Sequence, residues 1–198
     1  LKFFEMKIEM LANDKEYKIL KHLLTRCQMI EHISFKNFRM SEQEIELVTQ
    51  IIITLPQHQL KSIRFINCQI SDHTLPLLGR MIKHNGFLDY LAVENASITD
   101  KSLRFFTGLW QYIPFLQFFS LTKCQYFKGE IYLSSFIEKI VTELQLKHLI
   151  LSHNSLTAAI EEQLAEELFC LTDCSIETLD LSHNKITPRE NWVIYQHF

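Results

Sequence analysis

Apolar residues return along this chain in a fixed order. Six segments follow the template L-x-x-L-x-L-x-x-N/C-x-L, beginning at Ile30, Leu60, Leu88, Leu116, Leu146 and Ile176, in steps of 30, 28, 28, 30 and 30 residues. All eighteen residues at template positions one, four and six are apolar. Against a background of 47% apolar residues, that is on the order of one chance in a million before any choice of register. Position two is the converse, with Glu31, Lys61, Asp89, Gln117, Lys147 and Glu177. The clearest copies are LKHLILSHNSL (146–156) and IETLDLSHNKI (176–186), followed by LKSIRFINCQI (60–70) and LQFFSLTKCQY (116–126). A seventh copy is expected at the start. It places Leu1, Phe4, Met6 and Leu11 on the template, 29 residues before Ile30, with Glu9 in the Asn/Cys slot.

Two periodicities alternate within each unit. Around positions three to seven the period is two, as in a strand whose positions four and six enter the core while three, five and seven face outward. The second half repeats at i, i+3, i+7: Ile45/Val48/Ile52, Leu75/Leu78/Ile82 and Leu103/Phe106/Trp110, each a helix with one buried stripe. Ser41 and Glu44 read as a capping box, and Ser71-Asp72 and Thr99-Asp100 as N-caps of the next two helices. Leu133/Phe136/Ile140 repeats the stripe two residues late, which an insertion around Tyr126 to Glu130 explains. One strand and one helix cannot bury a core alone. Stacked, they form an α/β solenoid, a parallel sheet on the inner wall of an arc with helices outside it.

LSHN at 151–154 and 181–184, with the Cys-bearing copies at Cys68 and Cys124, resembles the ribonuclease-inhibitor-like class of leucine-rich repeat proteins. The resemblance implies one domain over residues 1–198, a horseshoe arc of six to seven repeats starting near 1, 30, 60, 88, 116, 146 and 176, and binding of another protein. The class's usual Gly after the helix-entry Asp is missing, and Phe38 and Ala96 stand where Asn or Cys is expected.

Asn154 and Asn184 hold the template slot whose amide ties the turn, and Cys68 and Cys124 are expected there as buried thiols. The nine histidines and five cysteines form no zinc-ligand spacing, and no phosphate loop or nucleophile elbow occurs. Cys170 and Cys174 read as a helix-end pair, and Glu161-Glu162 with Glu166-Glu167 as a solvated helix face. The chain is therefore expected to be neither an enzyme nor dependent on a cofactor or metal. A net charge of −3 gives no electrostatic case for nucleic acid or an anionic membrane, and no apolar stretch reaches the length of a membrane span. An odd number of cysteines, five, suggests reduced thiols in the cytoplasm. The lack of a starting Met and the apolar last unit, with Trp192 and Tyr195, read as a piece of a longer chain.

On the inner wall, position three gives Phe3, His32, Ser62, Tyr90, Phe118, His148 and Thr178. Position five gives Glu5, Ser34, Arg64, Ala92, Ser120, Ile150 and Asp180, and position seven gives Lys7, Lys36, Ile66, Glu94, Thr122, Ser152 and Ser182. Exposed aromatics beside an Arg have the composition of a binding hot spot. Arg64, Tyr90, Phe118, His148, Ile150 and Asp180 are accordingly the expected partner-binding residues, and no small-molecule substrate is expected. Adaptor, scaffold and inhibitor roles fit this pattern. The setting could be a bacterial effector in a host cell, in keeping with Phe-, Ile- and Lys-rich usage, or a cytoskeletal or ciliary assembly. The competing reading is the substrate-recognition part of a larger enzyme such as a ubiquitin ligase.

Overall fold

The computed structural model describes residues 5–9, 14–26, 30–38, 41–57, 59–124, 130–157, 175–185 and 193–195. Strands and helices alternate: β1 (Glu5–Glu9), α1 (Asp14–Arg26), β2 (His32–Lys36), α2 (Glu42–Ile52), β3 (Ser62–Ile66), α3 (Leu75–His84), β4 (Tyr90–Glu94) and α4 (Lys101–Thr107). A 3-10 turn (Trp110–Tyr112) then leads to β5 (Phe118–Thr122), α5 (Glu130–Glu143), β6 (His148–Ile150), β7 (Thr178–Asp180) and β8 (Val193–Tyr195). All eight strands join one sheet in chain order. β1 to β7 run parallel, whereas β8 pairs antiparallel with β7, a departure from the all-parallel expectation.

Position-three residues lie in register across the sheet. His32 pairs with Ser62, Ser62 with Tyr90, Tyr90 with Phe118, Phe118 with His148 and His148 with Thr178. The first unit differs from the expected alignment, because Glu5 rather than Phe3 lies opposite His32, giving a step of 27 residues. The reason is the strand period of two: a shift of two residues preserves the apolar alternation, so Met6 and Ile8 fit the template as Phe4 and Met6 do. Phe3, Leu1, Phe4 and Leu11 lie outside the described residues.

The core is where the two periodicities meet. All eighteen residues at positions one, four and six are buried, as are all twelve members of the four helical stripes from Ile45 to Ile140. Parallel sheets require such cover. Phe35 stacks on Phe65, the residue in register with it, at 5.3 Å, and Trp110 packs on Phe119 and Phe136 at 5.1 and 5.7 Å. The stripe through Trp110 is not one helix, however. α4 ends at Thr107 with Gly108 as its C-cap, and the 3-10 turn delivers Trp110 to the core. Glycine weakens a helix interior, and a tighter turn restores the side chain's direction.

The capping box of Ser41 and Glu44 forms at the start of α2. The next two expected caps do not. Thr74 and Asp100 occupy the N-caps of α3 and α4 without a side-chain bond that caps the helix. Asp72 instead crosses to the following unit, where its carboxylate accepts Thr99 N–H at 2.8 Å, Thr99 Oγ1–H at 2.5 Å and the Ser102 hydroxyl. Stacked units bring the neighbour's loop as close as the residue's own helix, and the neighbour offers more donors. Burial alone would raise the Asp72 carboxyl, but hydrogen bonds from Ser102 and Thr99 outweigh it and hold the group below its ordinary value. The insertion expected at Tyr126 to Glu130 falls largely outside the described residues; α5 begins at Glu130.

Candidate functional site

The sheet face turned away from the helices carries positions three, five and seven. Tyr90 and Phe118 are register partners on β4 and β5, and their rings stack at 4.1 Å with an interplanar angle of 7°. Arg64 on β3 lies over the Tyr90 ring, its Cζ 5.6 Å from the centroid, and Glu94 lies 3.5 Å from the guanidinium. His148 on β6 follows Phe118 at 5.9 Å and 46°. Four of the expected residues therefore form one continuous row across four strands. Tyr90 and Phe118 thus cover one face of each other, with the Arg64 guanidinium at one end of the pair and the tilted His148 ring at the other. Burial is the main cause that raises the Tyr90 hydroxyl above its ordinary pKa, so it stays protonated and able to donate.

Position five departs from expectation. Ser34, Ala92 and Ser120 are buried although they point away from the helices. They are the small members of a row that runs in register from Ser34 through Arg64, Ala92 and Ser120 to Ile150. Arg64, Ile150 and Asp180, the larger members of that row, stay partly exposed. Asp180 accepts Ser182 N–H at 2.9 Å.

Along the strand exits the turn residues form their own row. Asn154 accepts Cys124 N–H at 2.7 Å and donates to Leu121 O and Leu151 O at 2.6 and 2.9 Å. Asn184 accepts from Asn154 N and Leu156 N at 2.7 and 3.1 Å and donates to Leu151 O and Leu181 O at 2.9 and 2.8 Å. Cys68 stands in the same slot and donates its thiol to Phe35 O at 3.4 Å, while Cys124 lies 4.0 Å from Val93 O. Burial pushes the Cys68 thiol up to about 11 and the Cys124 thiol up to about 12. Neither is poised as a nucleophile at neutral pH.

One residue earlier, sequence reasoning missed a pattern. Asn37, Asn67, Asn95, Lys123, His153 and His183 all take a left-handed backbone, with φ between 53° and 59°. Asn95 donates to Asn67 at 2.9 Å and Asn67 to Asn37 at 3.3 Å, while the rings of His153 and His183 stack at 4.1 Å. The recurrence of Asn in the slot after position seven was the available signal, since Asn tolerates that conformation. Also missed were Phe87 and Phe115, the residues before position one in their units. They pack at 5.2 Å with more than half of each exposed. In three other units the equivalent residue is polar (Gln59, Gln145 and Ser175): Gln59 donates to Ile30 O and Ser175 to Leu146 O.

Cys27, Cys170, Cys174, the acidic run Glu161 to Glu167 and Trp192 lie outside the described residues. Among the described residues no helix is long and apolar enough to cross a membrane. In comparison with known proteins, residues 175–193 match the family model described as Leucine Rich Repeat. No curated protein matches the chain. The match coincides with the sixth template copy, whose core residues Ile176, Leu179 and Leu181 are buried, and it supports a leucine-rich repeat protein.

Proposed function

We propose that this leucine-rich repeat chain is a non-enzymatic protein-interaction module of the ribonuclease-inhibitor-like type. On this reading it is a cytoplasmic adaptor, scaffold or inhibitor that holds another protein on the concave inner face of a horseshoe of six to seven repeats. One observation carries the reading: Arg64, Tyr90, Phe118 and His148 stand in an unbroken row on the uncovered face of the sheet. Mutual stacking has already restricted these side chains, so little rotamer entropy remains to be lost when a partner arrives. Leucine-rich repeats generally mediate protein–protein contacts, and a rigid aromatic row with a flanking Arg is the kind of surface on which such contacts concentrate.

The experiment is an affinity pull-down from cell lysate with the wild-type chain and the Tyr90→Ala/Phe118→Ala variant, both shown by circular dichroism to be folded. A partner retained by the wild type and lost by the variant supports the reading. Identical partners on both would overturn it and move attention to the helical face or the Phe87/Phe115 rim.

A further inference from the structure

A second apolar stripe closes the layer of helices, and it breaks at α5. In α2, α3 and α4 the residues one before and three after the middle of the core stripe are Leu47/Ile51, Leu77/Met81 and Phe105/Leu109. This side of a helix is turned to the preceding one: Phe105 and Leu109 of α4 lie where a side chain on Gly79 of α3 would begin. Ile51, Met81 and Leu109 are buried there, and Leu77 and Phe105 pack against the core. The equivalent residues of α5, on either side of Phe136, are Ser135 and Lys139.

A cleft of about 840 Å³ opens between α4 and α5 as a result, with Arg104, Gly108, Tyr132, Ser135, Lys139 and Glu143 in its walls. A Cβ on Gly108 would meet only the carbonyls of Phe105 and Arg104 within 4 Å, and no atom of α5. Glu143 supplies the one carboxylate in the described lining, and it is tied to Lys139 at 2.8 Å. Arg104 lies over the Tyr132 ring, its Cζ 5.7 Å from the centroid. It has no carboxylate partner among the described residues, and Asp100, one turn before it, makes no ion pair with it. The cleft therefore keeps one uncompensated positive charge, at its Tyr132 end.

We propose that this cleft is a second docking surface, separate from the aromatic row, and that its occupant is an amphipathic helix of a partner protein. That helix carries one acidic and two apolar residues on the side that enters. The carboxylate meets Arg104 at the level of Tyr132. Ser135 and Lys139 follow three and seven residues along α5, and a helix lying beside α5 rises at the same ~1.5 Å per residue. The apolar residues therefore stand three and seven positions from the acidic one, a helix-in-groove spacing. They take the room that Phe105 and Leu109 fill one unit earlier, the further one against Gly108 and the methylenes of Lys139. A polyanion such as nucleic acid finds a single free cation here where it needs a row of them.

The test uses the whole chain and fluorescein-labelled, lactam-stapled helical peptides of about fourteen residues, read by fluorescence anisotropy. They carry Glu, Leu and Leu at this spacing, made in both chain directions, with versions in which Glu becomes Lys or both leucines become Ala. One direction should bind at least about tenfold tighter than its Lys and Ala versions. Gly108→Leu should cost at least about tenfold, because its φ of −72° accepts a side chain that then plugs the cleft. Ser135→Leu/Lys139→Leu, which restores the apolar pair, should lose the peptide as well while raising the midpoint of urea unfolding, and it stands in should Gly108→Leu disturb the fold. Arg104→Glu should weaken the Glu peptide by about tenfold and strengthen the Lys version. Tyr90→Ala/Phe118→Ala should leave the affinity unchanged.

No binding in either direction, equal binding of the Lys or Ala versions, or indifference to both closing variants would overturn the proposal. Binding that ignores the closing variants yet disappears in Tyr90→Ala/Phe118→Ala would place the peptide on the aromatic row, removing the cleft and leaving the interaction reading in place.

Discussion

Cys124 gives its backbone N–H to the side-chain oxygen of Asn154, 2.7 Å away and thirty residues further along the chain. The same amide satisfies the carbonyls of Leu121 and Leu151, so three backbone groups in two units depend on one buried side chain. Asn154→Ala would leave Cys124 N–H and Leu121 O without that partner, while Leu151 O keeps the Asn184 amide at 2.9 Å. At about 1 kcal/mol or more for each unsatisfied buried group, the variant should lose ~2 kcal/mol of stability in urea unfolding. Asn184→Ala should cost less, because that residue is only partly buried. A loss below about 1 kcal/mol at Asn154 would show that the turn re-forms its bonds by another route.

The buried thiols allow a chemical check. With Cys68 raised to about 11 and Cys124 to about 12 by burial, the thiolate fraction at pH 8 is on the order of one in a thousand or lower. Iodoacetamide at pH 8 should leave both unmodified in the folded chain and alkylate both in 6 M guanidinium, as read by peptide mass spectrometry. Rapid labelling of either one under native conditions contradicts its placement.

Asp72 should make stability depend on acid. Its carboxyl is held below the ordinary 3.8, so the folded state binds the proton less readily than the unfolded state does. The contribution is fully present above the ordinary value and drains away as pH falls through the lowered one. Asp72→Ala should cost about 1–2 kcal/mol at pH 7, discounted for partial exposure. It should also flatten the decline as pH falls below the ordinary carboxylate value, measured by urea unfolding over that acid range. An unchanged slope would mean that the Thr99 and Ser102 bonds carry no net energy.

Tyr90 and Phe118 should be energetically coupled. Stacked at 4.1 Å and nearly parallel, the pair should give about 0.5–1.5 kcal/mol of interaction energy in a double-mutant cycle of Tyr90→Ala and Phe118→Ala, read by thermal or urea unfolding. Additive effects would mean that the rings lie side by side without gain.

Much of this architecture was legible because the units repeat both of their periods. Any one of Ile63, Phe65, Leu91 or Val93 is an ordinary apolar residue. Their common phase, together with Leu75, Leu78 and Ile82, separates strand from helix and core from surface. What escaped the pattern did so for identifiable reasons. A period of two cannot tell Phe4/Met6 from Met6/Ile8, so the register of β1 had to come from its pairing. The stripe through Trp110 looks the same whether the chain continues as a helix or tightens after Gly108. Alternation gives the side of the sheet but not the height of the neighbours, which is why Ser34, Ala92 and Ser120 were expected at the surface and are covered. The cap residues near Asp72 were recognised by type, but their partners lie in the next unit, which no local rule examines. Of the candidate row, the members were legible, while the face-to-face stack of Tyr90 on Phe118 required coordinates.

The left-handed row from Asn37 to His183 has a consequence for how such a chain can change over time. Six non-glycine residues accept the same backbone conformation, each at a similar modest cost, and their side chains point to solvent or to one another. Amide, ammonium and imidazole thus occupy equivalent posts on an unchanged frame. Mutation can rewrite this edge post by post, altering what the molecule displays there, while selection on the buried positions keeps the scaffold constant.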